Sequence, residues 1–439
     1  MREVGEDRCN ARRDRYFALV RAVPAILLLI ACAGSAPLQQ VPTRVVGSPG
    51  SRPDTVRTEE FRSMDRVGAA WWSCAGASYT DPIVRIGDTL VLHALLAPGT
   101  GPCRALMYTA DANWIASDSG AVALAFVDTL PRTDVQGDPC WRHGNVPITI
   151  CNGASGNRVV VLREVATDKV RLIRRCVFVE DLAHIELAPS NALPASDRPH
   201  VQAVDITAHC PMLPIGDPFT EVEVVLLKDH LWEGALHARP ELMNANEIRF
   251  PRPTARFEGG NEWRTIDLTD LREGMHGVER MAPDGAIPLI TLVPDERRSI
   301  QRYHEREDHN GAFVPSGADR CAPLVAVNWR LSLDAPFAEG KVYVIGGFSD
   351  GRCLPEYRCL WDDEDRSYRA LGLVPRGRVD YAYAVLHDGS PIPDLAAVEG
   401  SHARTENELL ALLYWKDRCI GATVWNTRRH ATLMVPQDR

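Results

Sequence analysis

The sequence predicts an all-β protein made of tandem β-sandwich domains that follow an export signal and a tether. The chain of 439 residues contains 31 prolines and 32 glycines, which fall between short apolar runs. Long amphipathic helical stretches are nearly absent, and several short runs alternate apolar and polar residues. Such alternation, broken at intervals by turn residues, is typical of strands that bury one face.

Length and charge bound the organisation and the partners of the protein. A chain of this length usually holds about three domains. The formal net charge is −9, and charged residues make up 24% of the chain. A nucleic-acid-binding protein usually carries a basic surface, so no nucleic-acid partner is predicted.

The N-terminus predicts export and a lipid anchor. Arg12, Arg13, Arg15 and Arg21 precede the apolar run 22–31, which is too short to span a bilayer and is typical of a signal peptide covering residues 1–31. The run ends in LIAC, which resembles the bacterial lipobox, so Cys32 is expected to carry lipid and to become the first mature residue. Ordinary cleavage near Ala36 is the alternative. Residues 32–70, rich in Pro, Gly and Ser, would form a lipidated tether at the periplasmic face of the outer membrane.

The cysteines predict disulfides rather than a metal centre. Loss of Cys9 with the signal and lipidation of Cys32 leave ten of the 12 cysteines. An even number in an oxidising compartment suggests up to five disulfides. Cys353 could pair with Cys359 and Cys140 with Cys151, although the spacing leaves the connectivity open. No CxxC pair and no HxxxH run is present, so no zinc site is predicted.

Residues 71–185 are predicted to form the first domain, an immunoglobulin-like β-sandwich. Trp114 follows a turn and could be a ligand-binding aromatic, but a core position is the commoner fate of such a residue. Pro147 suits a strand start or a sheet edge. Seven strands support the sandwich, and they are predicted at residues 83–86, 89–96, 105–108, 122–127, 146–150, 159–163 and 171–179.

A linker at residues 186–200 and a central β domain at residues 201–318 are predicted next. His304, Asp308 and His309 could be drawn as a metal or acid–base cluster, but no third ligand is signalled, so strand and turn residues are the preferred interpretation. No catalytic, cofactor or metal residue is predicted. Strands are expected at residues 201–206, 220–228, 247–250, 289–293 and 302–306.

The least generic stretch is RFEGGNEWRTIDLTDLR, residues 256–272. Its two glycines predict a tight turn. The strand that follows would place Trp263, Thr265 and Asp267 on one face and Arg264, Ile266 and Leu268 on the other. The carboxylates and guanidiniums crowded into this stretch suit a charge-paired surface better than a catalytic pocket.

Residues 319–426 are predicted to form the last domain, and residues 427–439 a tail. Strands are expected at residues 342–345, 378–385 and 409–414, and the acidic run 361–366 suits a hairpin turn better than a calcium loop. The GGF turn and the strands around it resemble the early-set immunoglobulin-like domains that include glycogen-binding modules. Those modules carry a tryptophan just after this turn, where this chain has SDGRC.

Five motifs together resemble the type IX secretion system plug protein family of Bacteroidetes-type bacteria. They are EVVLLKDHLWEGA, RFEGGNEWRTIDLTDLR, YHEREDHNGAFV, DAPFAEGKVYVIGGFSD and VEGSHARTENELLALLYW, within residues 79–421. The resemblance implies a non-enzymatic subunit that closes the periplasmic side of a giant outer-membrane translocon barrel when the barrel is idle. It implies that barrel as partner and no small-molecule substrate.

The same motifs supply the candidate docking residues, because a plug needs a polar, charge-rich surface that can release its partner. The alternative is that these residues are turns that fix the fold. The candidates from EGGNEWR and EGSHARTENE are Glu258, Asn261, Glu262, Trp263, Arg264, Glu399, Thr405, Glu406 and Asn407.

Two other functions compete with the plug. A carbohydrate-binding lipoprotein would need a strip of exposed aromatic residues in the last domain, drawn from Trp361, Tyr381, Trp415 and Trp425. An enzyme is the weakest reading, because no GxSxG, HExxH, P-loop or GxGxxG motif occurs in a suitable context. The carboxylates Glu399 and Glu406 are available, but nothing in the sequence places them across a cleft.

Overall fold

In the part of the chain that the structure describes, the elements are six β-sheets and two one-turn α-helices, which confirms the predicted all-β class. The computed structural model describes residues 60–427 except 64, 75–81, 117–120, 129–139, 151–154, 193, 212, 245–246, 252–254, 273, 283–286, 317–322 and 391. The predicted signal, the lipobox cysteine Cys32 and the tail lie outside the described residues.

The strands are short and follow one another closely along the chain. The first group is β1 (Phe61–Arg62), β2 (Val67–Cys74), β3 (Ile83–Arg85), β4 (Thr89–Leu96), β5 (Cys103–Ala110), β6 (Val122–Leu124), β7 (Val127–Asp128), β8 (Arg142–Thr149), β9 (Gly156–Glu164) and β10 (Val170–Val179). The second group is β11 (His184–Ser190), β12 (Val201–His209), β13 (Val222–Lys228), β14 (Leu231–Ala238), β15 (Leu242–Asn244), β16 (Glu247–Arg249) and β17 (Arg256–Glu258), with helix α1 (Pro218–Glu221) before β13.

The third group completes the chain. It is β18 (Arg264–Asp267), β19 (Val278–Ala282), β20 (Leu289–Leu292), β21 (Asp295–Glu296), β22 (Phe313–Pro315), β23 (Leu324–Ser332), β24 (Lys341–Gly346), β25 (Leu360–Asp362), β26 (Ser367–Pro375), β27 (Gly377–Leu386), helix α2 (Ala396–Glu399), β28 (Glu408–Trp415) and β29 (Arg418–Asn426).

Pairing defines the six sheets, which we number I to VI. Sheet I has the order β2-β4-β8-β7, and sheet II has β1-β10-β9-β5-β6 with β3 beside β10. Sheet III is β14-β13-β28-β29, and sheet IV is β11-β12-β16-β15 with β17 beside β12. Sheet V is β18-β27-β22 with β24 beside β27, and sheet VI is β19-β20-β23-β26-β25 with β21 beside β23.

Sheets I to IV form a four-layer stack with three apolar interfaces. Trp72 and Leu92 of sheet I pack on sheet II, and Val161 of sheet II packs towards Leu412 of sheet III. On its other face, sheet III packs on sheet IV, where Ile206 lies in the core. Sheets II and III are therefore covered on both sides. This explains why their strands are nearly continuous apolar runs, such as VEVVLLK in β13 and ELLALLYW in β28.

Sheets V and VI form a separate sandwich around the largest aromatic cluster. Trp329 is fully buried there and contacts Phe348, Tyr357 and Tyr381. The outer face of sheet V carries a smaller cluster of Trp263, Tyr343 and Ile345. The described residues all belong to one compact unit.

The sheets correct three predicted boundaries. The predicted tether 32–70 contains β1 and the start of β2, and the predicted linker 186–200 contains most of β11. Strand β11 is the terminal strand of sheet IV, where Pro189 is tolerated. The boundary at 318/319 does not separate two domains. Instead, β18 pairs with β27 across it, and β28 and β29 return to sheet III beside β13.

The predicted strands mostly form, with one exception in the central region. Residues 302–306 are not a strand, because the chain there runs as an irregular segment before the turn at Asn310 and Gly311, which have positive φ. Pro147 lies in β8 and pairs with Val91 of β4 on one side. On the other side β7 pairs with β8 at Asn145 and Gly144, so Pro147 lies beyond that pairing. Trp114 is buried in the core between sheets II and III, as preferred from the sequence.

The disulfide prediction is wrong for most of the described cysteines. Cys140 is disulfide-bonded, and its suggested partner Cys151 lies outside the described residues. Cys353 and Cys359 are free, so the loop that separates them is not closed by a disulfide. The remaining free thiols are spread over separate strands and cores, and they are Cys74, Cys103, Cys176, Cys210 and Cys419.

Candidate functional site

The two most specific motifs of the sequence are the two places where the chain crosses between sandwiches. Residues 259–263 carry the chain out from β17 of sheet IV to β18 of sheet V. Residues 387–407 carry it back from β27 of sheet V to β28 of sheet III. The sandwich of sheets V and VI is therefore an insertion in the sandwich of sheets III and IV. We call the contact between segments 259–264 and 399–407 the crossover seam.

Hydrogen bonds to backbone hold the two segments side by side. The His402 N–H donates to the Gly260 carbonyl at 2.8 Å, and the Thr405 hydroxyl donates to the same oxygen at 2.9 Å. The Asn407 amide donates to the Gly259 carbonyl at 2.7 Å, and the Asn261 amide donates to the Glu399 carbonyl at 2.8 Å. Each side chain here satisfies a backbone group of the opposite crossing, so the seam needs Asn and Thr at these positions.

A buried ion-pair cluster lies at the centre of the seam. Glu399 is 2% exposed and accepts two bonds from Arg264, both at 3.0 Å, and one from Arg298 at 2.6 Å. The backbone N–H of Tyr383 donates to it at 2.9 Å. Burial opposes ionisation, but Arg264 and Arg298 hold the pKa of Glu399 below its ordinary value. Glu399 is thus a charged carboxylate with hydrogen-bond donors to both of its oxygens. This is the condition under which a buried charge is tolerated.

The guanidinium of Arg264 links this carboxylate to a second one. Arg264 donates to Asp295 at 2.6 Å and to the Glu296 carbonyl at 2.8 Å. The hydroxyls of Tyr381 and Tyr383 donate to the other oxygen of Asp295 at 3.1 and 2.9 Å. Burial raises the pKa values of both tyrosines well above the ordinary value, so they remain protonated donors. The cluster connects β18, β21, β27 and α2.

Glu262 extends the seam to the irregular segment that replaces the predicted strand 302–306. One carboxylate oxygen accepts the backbone N–H of Glu406 at 3.2 Å and the hydroxyl of Tyr303. The Glu262 carbonyl accepts from Arg298 at 2.7 Å. Glu262 is 1% exposed, which places it inside the protein.

Asp308 and Asp380 fix the turn that packs beneath Trp263. Asp308 accepts the backbone N–H groups of Trp263 and Asn310. Asp380, which is fully buried, accepts the N–H groups of His309 at 2.6 Å and Gly311 at 3.2 Å. Burial raises the pKa of Asp308 to about 7, although its two backbone donors act in the opposite direction. The turn has no space for a side chain at 311, because a Cβ there would meet the Trp263 ring at 2.6 Å.

The burial of the seam corrects the docking prediction. Six of the nine candidate docking residues are buried and cannot contact a partner in this fold: Glu262, Trp263, Arg264, Glu399, Thr405 and Asn407. Asn261 and Glu406 are half-buried, and Glu258 is exposed. The charges of this stretch are paired as expected, but Arg264 forms its pairs in the interior, whereas Asp267 with Arg378 forms the predicted kind of surface pair. The fold-fixing alternative explains these residues.

The aromatic strip required for the carbohydrate alternative does not form from the four predicted residues. Tyr381 is buried in the seam. Trp415 and Trp425 belong to the core between sheets III and IV, whereas Trp361 belongs to the V–VI sandwich. Trp361 nevertheless contributes to a surface groove of about 760 Å³ on sheet VI. Leu360 and Leu371, 62% and 63% exposed, lie in this groove beside Arg358, Arg369 and Asp362.

The metal cluster considered from the sequence would consist of His304, Asp308 and His309. Within this part of the chain, no group of three or more His, Cys, Asp and Glu side chains is placed to hold a metal ion. His304 is exposed, and His309 contacts Asp380 rather than a ligand cluster. Among the described helices, none is both long and apolar enough to cross a membrane.

Sequence reasoning missed Arg298, Asp295, Tyr303 and Asp380, which complete the seam. Arg298 lies in an ordinary polar stretch, and Asp380 occupies the polar face of an alternating strand, so neither position signals a buried partner. The signal in the sequence was the local crowding of charged residues at 258–272. It indicated that these residues form ion pairs but not that the ion pairs are buried.

Comparison with known proteins supports the fold alone. No family model and no curated protein matches the chain. The structure is similar to the crystal structure of a hypothetical protein from Parabacteroides merdae ATCC 43184, with a TM-score of 0.73 and 19% sequence identity. The alignment covers 84% of this chain and 100% of that protein.

Proposed function

We propose that this protein is a plug subunit of a type IX protein-secretion translocon, and that it closes the periplasmic side of the outer-membrane barrel when the barrel is idle. A plug works by shape and must resist deformation. The observation that carries the proposal is the crossover seam, which ties the inserted sandwich to its host at two adjacent crossings. The motif resemblance supplies the partner, a giant outer-membrane barrel, and Cys32 would supply the lipid anchor.

Two measurements test the plug role together. The first is co-purification of the full chain with the barrel from membranes solubilised in mild detergent. The second is entry of a large antibiotic in cells that lack the plug. We expect the barrel to co-purify and the plug-deficient cells to become permeable. Deleting the barrel as well should restore the permeability barrier. Recovery of the free protein alone, or permeability that persists without the barrel, contradicts the proposal.

The anchor has its own test, which separates it from the closing function. Cys32→Ser prevents lipidation and is expected to move the protein from the membrane fraction to the soluble periplasmic fraction. One acyl chain binds a membrane weakly, so multiple acylation is required for stable retention. If the Ser variant stays in the membrane fraction in a cell without the barrel, the lipid anchor is excluded.

The groove on sheet VI favours carbohydrate binding as a second function. Trp361 donates its indole N–H to Asp363 at 2.8 Å and packs edge-on against Tyr368 at 5.1 Å, so its ring is held in place. A fixed aromatic beside arginine and carboxylate groups is the composition that ligand sites use for orientation. A polysaccharide panel should then show binding that Trp361→Ala removes and that Trp415→Ala, in another core, preserves. Equal binding by the two variants would exclude this groove.

A further inference from the structure

An outer face of the first sandwich carries a hydrogen-bonded row of one serine and two histidines. Ser73 of β2, His93 of β4 and His143 of β8 lie on the side of sheet I that points away from sheet II. The Ser73 Oγ is 2.6 Å from His93 Nε2. His93 Nδ1 is 3.0 Å from His143 Nε2. The row is far from the crossover seam in sequence and shares no residue with it.

The connectivity of this row is that of a nucleophile, a base and an orienting group. With the Ser73 hydroxyl donating to Nε2 of His93, the proton of neutral His93 lies on Nδ1 and is donated to His143. A serine activated for attack needs this tautomer, in which the base accepts at one ring nitrogen and is held by a bond at the other. Burial lowers the pKa of His93, which keeps its imidazole neutral and able to accept a proton.

Trp71 holds the two imidazoles in place. Its ring lies nearly parallel to His93 at 5.1 Å and to His143 at 5.5 Å, with interplanar angles of 8° and 14°. The interplanar angle between the two imidazoles is 19°. Three rings in near-parallel planes restrict rotation of both histidines, so the hydrogen-bonded geometry is preorganised rather than formed on binding.

The candidate donors for an anionic intermediate are backbone N–H groups at the edge of the sheet. Among the described strands, β2 is the terminal strand of sheet I. Alternate N–H groups of a terminal strand point away from its sheet. Such backbone N–H groups are the usual donors to the oxyanion that forms when a hydroxyl attacks an ester carbonyl.

We propose that Ser73 is a nucleophile towards esters, with His93 as its general base and His143 as a positioning residue. In the first step the Ser73 Oγ bonds to the acyl carbon, and its proton passes to His93 Nε2. The ester C–O bond then breaks, and His93 returns that proton to the departing alcohol. In the second step water bonds to the acyl carbon and gives a proton to His93 Nε2. The bond between the acyl carbon and Ser73 Oγ then breaks, and His93 returns that proton to Oγ, which releases the carboxylic acid and restores the Ser73 hydroxyl. Trp71 and Val91, which lie on the same face of sheet I as Ser73, present apolar surface to the acyl group.

A fluorophosphonate probe tests the nucleophile directly, since Oγ attack forms a stable O–P bond and expels fluoride. We expect the folded full chain to be labelled at Ser73, and faster there than at its other serines, as identified by peptide mass spectrometry. Ser73→Ala should remove the label, and His93→Gln should slow labelling by about 10²- to 10⁴-fold. His143→Ala should also slow it, and His143→Glu, which restores an acceptor for Nδ1–H, should recover part of the rate.

The matched control is His209→Gln, which alters a second cross-strand pair of stacked imidazoles, His184 and His209 at 6.2 Å on sheet IV. It should label as fast as the unaltered protein. The proposal is overturned if the unaltered protein is not labelled selectively at Ser73, a result that needs no variant and hence no folding control. It is also overturned if His93→Gln, shown to be folded by circular dichroism, reacts at the unaltered rate. Failure of plug binding would leave this result unaffected, because the site lies on a different sandwich.

Discussion

At the residue scale, Glu399 determines whether the crossover seam is stable. Its carboxylate is the common acceptor for two guanidiniums and one backbone N–H. Replacing a buried ion pair by apolar groups can be neutral, whereas removing one partner leaves the other charge buried without compensation. Loss of the Glu399 carboxylate is therefore destabilising because Arg264 and Arg298 would stay buried without it.

We therefore expect Glu399→Gln to lower the free energy of unfolding by about 3–5 kcal/mol. The measurement is urea unfolding followed by tryptophan fluorescence. Asp267→Asn is the matched control, because its pair with Arg378 is more than half exposed on both sides. That change should cost less than about 1 kcal/mol. Equal losses in the two variants would show that the seam does not depend on its charge.

Asp308 should make stability depend on pH near neutrality. Its pKa is about 7 in the folded protein, against about 4 for an unfolded aspartate. The folded state binds this proton more tightly, so the contribution of Asp308 favours folding at pH 4 and is lost as the pH rises to about 7. Asp308→Asn keeps an acceptor for the Trp263 N–H but does not titrate.

The difference in unfolding free energy between the unaltered protein and Asp308→Asn should accordingly fall by roughly 2–4 kcal/mol between pH 4 and pH 7. Chemical denaturation at half-unit pH steps measures it. Because Asp380 is also buried with a raised pKa, the comparison must be made as this difference rather than from the unaltered curve alone. A difference that stays constant over the range would contradict the assignment.

At the element scale, the two crossings are packed so closely that one needs a glycine. A Cβ at Gly259 would overlap the carbonyl oxygen of His402 and lie 2.9 Å from the backbone nitrogen of Ala403. These are backbone atoms of the opposite crossing and cannot rotate away. Gly259→Ala should therefore cost about 1–3 kcal/mol through overpacking.

Thermal unfolding provides the test, with Gly216→Ala as the comparison. A Cβ at Gly216 meets only the end of the Glu221 side chain, at 3.3 Å. That variant should change stability by no more than about 0.5 kcal/mol. If Gly259→Ala melts like Gly216→Ala, the two crossings are not tightly packed at Gly259.

The sequence predicted elements well because their signals are local. Alternation along β27 and the apolar run of β13 sufficed to predict those strands, and both exist. The EGGNE turn was also predicted, but its burial was not. A charged motif on the surface has the same composition as one in a buried seam. Arg264 illustrates the limit: its buried partners come from residues 31 and 135 positions away. Only the topology brings them together.

At the scale of the whole molecule, the decisive feature is an inserted sandwich rather than a row of independent domains. Sheet III is completed by β28 and β29, which follow the inserted sandwich in sequence, and sheet III also covers sheets II and IV. The first sandwich therefore depends on the last strands of the chain for one of its apolar interfaces. This coupling is what the proposed plug role would require.

Removing the final strands should consequently destabilise most of the stack. We expect a chain that ends at Gly389 to be recovered as aggregate, because β13 loses its partner β28, and Leu410 and Leu412 no longer cover sheet II. A matched chain ending at Thr427 retains every described strand and should remain soluble and resistant to limited proteolysis. Under a tandem arrangement with a boundary at 318/319, the shorter chain would instead keep two protected domains of normal stability. Protease-resistant fragments covering residues 71–318 of the shorter chain would support that arrangement and contradict the inserted one, because β13 would then be stable without β28.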